Sequence, residues 1–140
     1  MSYSLTILPE KRLALFQFVG EMNVANCRQS FVEYVKHELF RSEYVMLVDT
    51  RGVTVAQATF SEIFAAVQSV SSLLRKFDTE ALSVVLVRDD VQFGLARVLE
   101  QVLDFSSRIR MRVVYTEAEA LSCASRPEAT LSQWMATEVV

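Results

Sequence analysis

The sequence contains few of the residues that carry most protein chemistry. Its 140 residues include one His, two Cys, three Gly and two Pro, while 51% of them are hydrophobic. Scarce Gly and Pro together with abundant core-forming side chains exclude a largely disordered chain. No apolar run is long enough to cross a bilayer, and residues 1–10 lack the basic and apolar regions of a secretion signal. We therefore expect a cytoplasmic protein with no membrane insertion.

A basic stripe is also missing. The 14 Lys and Arg residues are interspersed with 17 Asp and Glu residues, and the formal net charge is -3. A protein that binds nucleic acid needs clustered Lys and Arg side chains to neutralise phosphates. The sequence therefore predicts no nucleic-acid partner.

The parts of a catalytic or metal site are missing as well. His37 is the only histidine, and it has no second ligand or orienting carboxylate beyond its helix neighbours Glu33 and Arg41. Cys27 and Cys123 form no CxxC pair, so we expect both to be reduced and buried. No GxSxG motif is present. These absences predict a protein that is not an enzyme and that holds no metal and no cofactor.

What the sequence does contain is a regular alternation of strand and helix patterns. Residues 3–7 and 13–19 alternate around a Pro9 turn and predict a hairpin, and the unbroken apolar runs 44–48 and 82–87 are typical of strands buried on both faces. Helical periods predict helices over about 23–39, 59–77, 89–102 and 117–123, with a loop over 50–58. The order ββαβαβαβα predicts an α/β fold with a five-stranded mixed, mainly parallel sheet. Only the first strand should be antiparallel, and residues 82–87 should lie inside the sheet.

The domain division follows from the same pattern. We expect one α/β domain over residues 1–126 and a C-terminal tail or short helix over 127–140, after Pro127. Right-handed crossovers would stack the helices on one face of the sheet and leave apolar strand side chains uncovered. The side chains concerned are Val45, Leu47, Val85 and Val87. A homodimer would cover them, and the alternatives are a ligand or the tail, through Leu131, Trp134 and Met135.

Polar residues follow two of the predicted parallel strands. Because the carboxyl ends of such strands meet in a crevice, we expect one ligand or partner site there. Its predicted members are Asp49, Thr50, Arg51, Gly52, Arg88 and Asp89, with Gly94 and Arg97 on the following helix. The alternative is that these residues are helix caps and loop ion pairs. For Gly94, close packing of a neighbouring element is the expected explanation, and a ligand approaching the helix start is the alternative.

Four segments resemble those of STAS domains, the fold of bacterial anti-sigma-factor antagonists. They are Leu15 to Asn26, Val48 to Thr54, Asp89 to Glu100 and Arg112 to Leu121. Together they are most similar to the SpoIIAA-like proteins of the STAS/SEC14 type, many of which have no assigned activity. The resemblance covers about residues 3–122 and implies a SpoIIAA-like fold.

In the antagonists, a Ser in an Asp-Ser-Ser-Gly pattern at the start of a helix is phosphorylated by a partner kinase. The matching stretch here is Gln57-Ala58-Thr59-Phe60, so Ala58 occupies the acceptor position. Thr59 is the candidate substitute acceptor. Its position three residues before Glu62 also predicts a capping box, which is the alternative role.

Three functions remain open at this point. The first is a non-catalytic regulatory module of the STAS-like type that binds a regulatory protein partner or a small ligand. The second is a carrier of a small apolar or lipid ligand, implied by the SEC14 side of the resemblance and by a row of helix aromatics that could equally be core. Those aromatics are Phe60, Phe64, Phe77, Phe93 and Phe105. The third, an enzyme using Asp49, Arg51 or Asp89, has no visible pair of base and nucleophile.

Overall fold

The computed structural model describes residues 2–136 of the chain. The strands are β1 (Ser2–Leu8), β2 (Leu13–Asn23), β3 (Val45–Gln57), β4 (Ala81–Leu86) and β5 (Ile109–Val114). The helices are α1 (Val24–Val35), α2 (Phe60–Ser69), α3 (Ser71–Leu74), α4 (Asp90–Ser106), α5 (Glu117–Cys123) and α6 (Leu131–Ala136).

The five strands form one sheet in the order β1-β2-β3-β4-β5. β1 is antiparallel to β2, because only a short 3₁₀ turn over Pro9–Lys11 joins them, and Arg12 closes that turn in the left-handed region with a φ of 54°. All other neighbours are parallel and are connected through helices. The predicted fold class is therefore confirmed, as is the position of the fourth strand inside the sheet.

Helices cover both faces of the sheet. The larger core lies between the sheet and the layer formed by α1, α2 and α4, and it includes Val85 and Val87. The smaller core lies on the opposite face, where α5 and α6 bury Leu13, Leu47 and Trp134. The expectation that Val45, Leu47, Val85 and Val87 share one uncovered face is wrong, because side chains alternate along each strand and the two pairs point to different layers.

The homodimer was predicted from an uncovered sheet face. Within residues 2–136 that face carries α5 and α6, and Trp134 on α6 is only 2% exposed. The C-terminal segment, which was the alternative to a dimer, therefore covers this face of the sheet. Met135 of that segment is exposed and does not contribute to the cover. The homodimer remains a prediction, but an uncovered sheet face no longer supports it.

The predicted loop over residues 50–58 is wrong, because β3 continues through it to Gln57. The parallel pairing with β2 extends to the pair Asn23 and Gln57, well past the last β3–β4 pair at Asp49 and Leu86. Two register shifts interrupt this ribbon and disturb the alternation that would have predicted a strand. A Cβ on Gly52 would lie 2.6 Å from a methyl group of Val19, so the strands approach closely at that point.

The helix predictions are correct in position and partly wrong in orientation. The predicted helix 59–77 divides at Val70 into α2 and α3. Phe60 and Phe64 belong to the predicted row of helix aromatics, yet they are 62% and 46% exposed and so are not part of the core. The apolar arc of α2 is wider than the part of that helix that contacts the sheet, so Ile63 fills the core while the two Phe rings stack outside at 6.1 Å.

Gly20 and Gly94 differ in backbone conformation and surroundings, so replacing each of them by Ala should have opposite effects on stability. Gly20 lies in the β2 ribbon with a φ of 79°, whereas a Cβ on Gly94 in α4 would meet no atom within 4 Å. The close contact predicted at Gly94 is therefore wrong. We expect Gly20→Ala to lower the free energy of unfolding by about 1 kcal/mol or more and Gly94→Ala to raise it by about 1 kcal/mol. Urea unfolding measures both, and a destabilised Gly94→Ala variant would contradict the open surface at this position.

The role of α6 as a cover predicts the behaviour of a shortened chain. A chain that ends at Arg126 lacks Trp134 and exposes the apolar face beneath it, so we expect this chain to self-associate more strongly than the intact protein. Sedimentation equilibrium of both chains measures the difference. A shortened chain that remains monomeric and equally stable would show that α6 is not the cover.

Candidate functional site

The polar residues predicted to form one cluster lie on two faces of the sheet. Asp49 and Arg51 point to the layer of α5 and α6, while Thr50 points to α4 and is 5% exposed. This division follows from the alternation of side chains along β3, which continues as a strand where a loop was expected. The structure therefore contains two separate polar arrangements at the level where β4 ends.

On the α5 side, Asp49, Arg51 and Glu117 form a chain of ion pairs. Asp49 accepts hydrogen bonds from Arg51 Nε at 3.0 Å and Nη2 at 2.9 Å, and Glu117 Oε2 accepts one from Arg51 Nη1 at 2.8 Å. The second carboxylate oxygen of Glu117 accepts the backbone N–H of Leu131 at 2.7 Å. Glu117 thus ties β3 to the first residue of α6.

These hydrogen bonds shift the pKa values of Glu117 and Arg51. The pKa of Glu117 is lowered, first by the hydrogen bond from the Leu131 backbone and then by Arg51. The pKa of Arg51 is raised above its ordinary value, mainly by the hydrogen bonds to Asp49. Each shift reflects stabilisation of the charged form, so the arrangement is a structural clamp in which one guanidinium pairs with two carboxylates.

On the α4 side, buried polar groups satisfy one another. Thr50 Oγ1 donates to the carbonyl of Leu86 at 2.9 Å, and the side chain of Gln92 accepts from the Arg88 backbone at 2.9 Å and donates to the Val53 carbonyl at 3.2 Å. Gln92 is 7% exposed. These bonds connect β3, β4 and α4, which is the structural role that buried polar groups usually have.

The other predicted site residues lie apart from these two arrangements or act as caps. Asp89 accepts from the Gln92 backbone at 2.9 Å and caps α4. The guanidinium of Arg88 makes only longer contacts, at 3.4 Å to the Arg51 carbonyl and 3.6 Å to Asp89. Gly94 and Arg97 lie on the outer side of α4, where Arg97 pairs with Glu100 at 3.3 Å.

Thr59 and His37 have local roles. Thr59 Oγ1 accepts from the Glu62 backbone at 3.2 Å, and Glu62 Oε1 accepts from the Thr59 backbone at 2.8 Å, so the predicted capping box is confirmed. The Thr59 residue is exposed, and its role as a phosphoacceptor stays a prediction. His37 is also exposed, and its Nδ1 accepts from the Leu39 backbone at 3.0 Å.

Two residues of these networks were missed from the sequence. Gln92 lies three residues after Asp89, a spacing that suggests a capping box, but its side chain turns to the neighbouring strands instead. Glu117 lies 66 residues from Arg51 in the chain, and nothing in its local sequence signals that pairing.

The larger core contains a cavity of about 250 Å³ between the sheet and the helices α1, α2 and α4. Its walls are almost entirely apolar, with strand side chains on one side and helix side chains, both large and small, on the other. They include Phe16, Phe18, Met46, Val48, Ala66 and Ala96. None of Phe60, Phe64, Phe77, Phe93 and Phe105 lines this space, so the aromatic lining predicted from the helices is wrong in its residues.

The cavity reaches solvent at a polar rim. Asn23 and Gln57, paired at the end of the β2–β3 ribbon, are exposed, as is Arg28 on α1, and all three line the cavity. Cys27 also lines the cavity, and burial raises the pKa of its thiol to about 12. Both cysteines are free thiols, and each is only partly buried.

Residues 2–136 contain neither a metal-ligand cluster nor a membrane-spanning helix. This part of the chain contains no cluster of three or more His, Cys, Asp or Glu side chains that could hold a metal ion. It also has no helix with the length and apolar character needed to cross a membrane.

Comparisons with known proteins show a structural similarity. No protein-family model matches the sequence, and no curated protein matches it. Among solved structures, the chain is similar to the anti-sigma factor antagonist SpoIIAA in its unphosphorylated form, with a TM-score of 0.47 and 12% identity, over 89% of this chain and 98% of that one. The resemblance to SpoIIAA predicted from the sequence is thus found in the structure. The fold assignment itself rests on the strand order and helix layers of this chain.

The clamp of Glu117 predicts an acid-sensitive docking of α6. We expect Glu117→Gln to destabilise the docked helix by about 1–2 kcal/mol, because it weakens two charge-assisted hydrogen bonds. Trp134, the only tryptophan, reports the change through a red shift of its fluorescence at lower urea concentration. Glu119→Gln, in the same turn of α5, is the matched control.

The stabilisation that Glu117 provides should decrease as the pH falls. Because the pKa of Glu117 is lowered by folding, its stabilising effect is complete above the pKa of the unfolded chain and is lost as pH falls through the folded value. The difference between wild type and Glu117→Gln should therefore shrink on acidification. A difference that is constant down to acid pH would contradict the clamp.

Proposed function

We propose that this protein is a non-catalytic binding module and that its ligand is a small apolar molecule held in the cavity beneath α1, α2 and α4. The observation that carries the proposal is the cavity itself, with a volume of about 250 Å³ and nearly all of its wall apolar. Apolar cavities are dry and take up apolar guests, and an engineered cavity of about 150 Å³ binds benzene or xenon. The space here is larger and has a natural opening.

The energetics of packing support a guest in this space. Protein interiors are packed as densely as organic crystals, and the side chains lining a void lose dispersion contacts on one side. Phe16, Met46 and Val85 lie on the sheet wall of the cavity and face such a gap. A guest molecule restores those contacts, which provides a driving force for binding that needs no polar recognition.

The polar residues support a non-catalytic role. Asp49 and Glu117 both pair with Arg51, and Thr50 and Gln92 are bonded to backbone groups. Within residues 2–136 these groups provide no pair of nucleophile and base that faces an open site. A cytoplasmic protein that binds and releases a ligand needs neither.

A regulatory protein partner, as in a STAS-type module, is the second candidate. The exposed Phe60 and Phe64 favour it, because they stack on the outer face of α2 directly after Thr59. Exposed aromatic pairs are enriched at protein interfaces. Contacts through this face would not respond to filling of the cavity, so the experiment below separates the two candidates.

The binding proposal is tested with 1-decanol and two neighbouring alanines. Ala66 lines the cavity, whereas Ala65 is exposed on the same helix and does not. We expect the wild-type protein to bind 1-decanol with a rise in melting temperature. Ala66→Leu should weaken this binding at least about tenfold by occupying the space, a loss of about 1.4 kcal/mol. Ala65→Leu should bind like wild type.

Calorimetric titration and thermal unfolding measure these outcomes. The unliganded Ala66→Leu protein should be at least as stable as wild type, because the new side chain enters empty space. No binding of 1-decanol or of any other ten-carbon probe to the wild-type protein would contradict the proposal.

A further inference from the structure

We infer that the ligand is a single-chain amphiphile with an anionic headgroup, namely a carboxylate of medium chain length, and that Arg28 binds this headgroup at the rim. This inference rests on the proposed function, in which the cavity binds an apolar molecule. The inference rests on the charge, the exposure and the hydrogen bonding of Arg28, and on the size of the cavity.

Among the described residues that line the cavity, Arg28 is the only one with a charged side chain. It is exposed, so it lies where the cavity meets solvent, and its Nε donates to Ser69 Oγ at 2.7 Å. That bond extends the guanidinium from α1 towards the last residue of α2. The side chain therefore reaches from α1 to the C-terminal end of α2.

The remaining donors of Arg28 are available to a ligand. No carboxylate of residues 2–136 forms an ion pair with Arg28, whereas Arg51, Arg88, Arg97, Arg110 and Arg126 all have one. The Nη1 and Nη2 groups of a guanidinium form a planar fork that matches the two oxygens of a carboxylate. Arg28 thus presents an unneutralised anion-binding group at the entrance to an apolar space.

The rest of the rim and wall selects the same kind of molecule. Asn23 and Gln57 at the rim are neutral, and within residues 2–136 no acidic residue lines the cavity, so a cationic headgroup would meet only repulsion from Arg28. Deeper in, Ser30 donates to the Cys27 carbonyl at 2.8 Å, and Thr50 and Gln92 are bonded to backbone groups. These polar groups are satisfied, which leaves the interior suited to a hydrocarbon chain.

The volume limits the length of that chain. If about 150 Å³ accommodates the six carbons of benzene, then 250 Å³ corresponds to roughly ten carbon atoms. One chain of that length fills the cavity, whereas a lipid with two long chains exceeds it. Decanoate therefore combines the expected headgroup with the expected length.

The experiment compares decanoate with 1-decanol, which has the same chain and no charge. It is done at about pH 8, where a carboxylate is ionised. We expect wild-type protein to bind decanoate at least about tenfold more tightly than 1-decanol, since a hydrogen bond to a charged group contributes about 1.5–3 kcal/mol. Raising the salt concentration should weaken the binding of decanoate and leave that of 1-decanol unchanged.

Arg28→Gln tests the residue directly. This variant should lose about tenfold or more in affinity for decanoate and stay within about twofold of wild type for 1-decanol. Arg75→Gln removes an exposed charge that does not line the cavity, and it is the matched control with no expected effect. Titration calorimetry on the full chain gives all the affinities.

The outcomes separate this inference from the proposed function. If 1-decanol binds as tightly as decanoate, or if Arg28→Gln weakens both ligands equally, the headgroup inference is overturned while the apolar cavity stands. If neither ligand binds to the wild-type protein, the proposed function fails and the inference fails with it.

Discussion

The parallel pairing of β2 with β3 is the interaction on which the rest of the structure depends. It runs from Leu13 and Val45 to Asn23 and Gln57, farther than any other parallel pairing in the described sheet. Its first half forms the centre of the sheet and the floor of the cavity, and its second half extends past β4 and ends at the cavity rim. This one pair of strands therefore positions both the floor and the rim of the cavity.

The alternation of side chains along β3 gives its two faces different chemistry. Asp49 and Arg51 join Glu117 on one face, and this clamp holds α6 over the smaller core. Thr50 faces the opposite layer, where Gln92 connects β3 to α4 at the edge of the cavity. Polar residues that are adjacent in the sequence therefore support two separate layers, and their charges and hydrogen bonds are used to hold the helices in place.

Side chains of both the sheet and the helices line the cavity. On the sheet, Phe16 and Phe18 face it, while α2 and α4 place Ala66 and Ala96 opposite. The large side chain of Phe64 is on α2 too, but it points to solvent. α2 thus directs Ile63 and Val67 into the core and both of its aromatic side chains to solvent, and part of the space between the sheet and the helices stays unfilled.

The sequence by itself determined the strand order, the hairpin and the helix caps. These features depend on local patterns: the short Pro9 turn, the apolar runs of β3 and β4, and the Thr59 capping box all involve residues close together in the chain. Tertiary structure alone decided which apolar residues are buried, because Phe60 and Ile63 have similar hydrophobicity and differ only in where α2 contacts the sheet. It also decided the pairing of Arg51 with Glu117 and the position of Arg28 at the cavity rim. Those contacts join residues far apart in the chain, and only the packing of helices on the sheet brings them together.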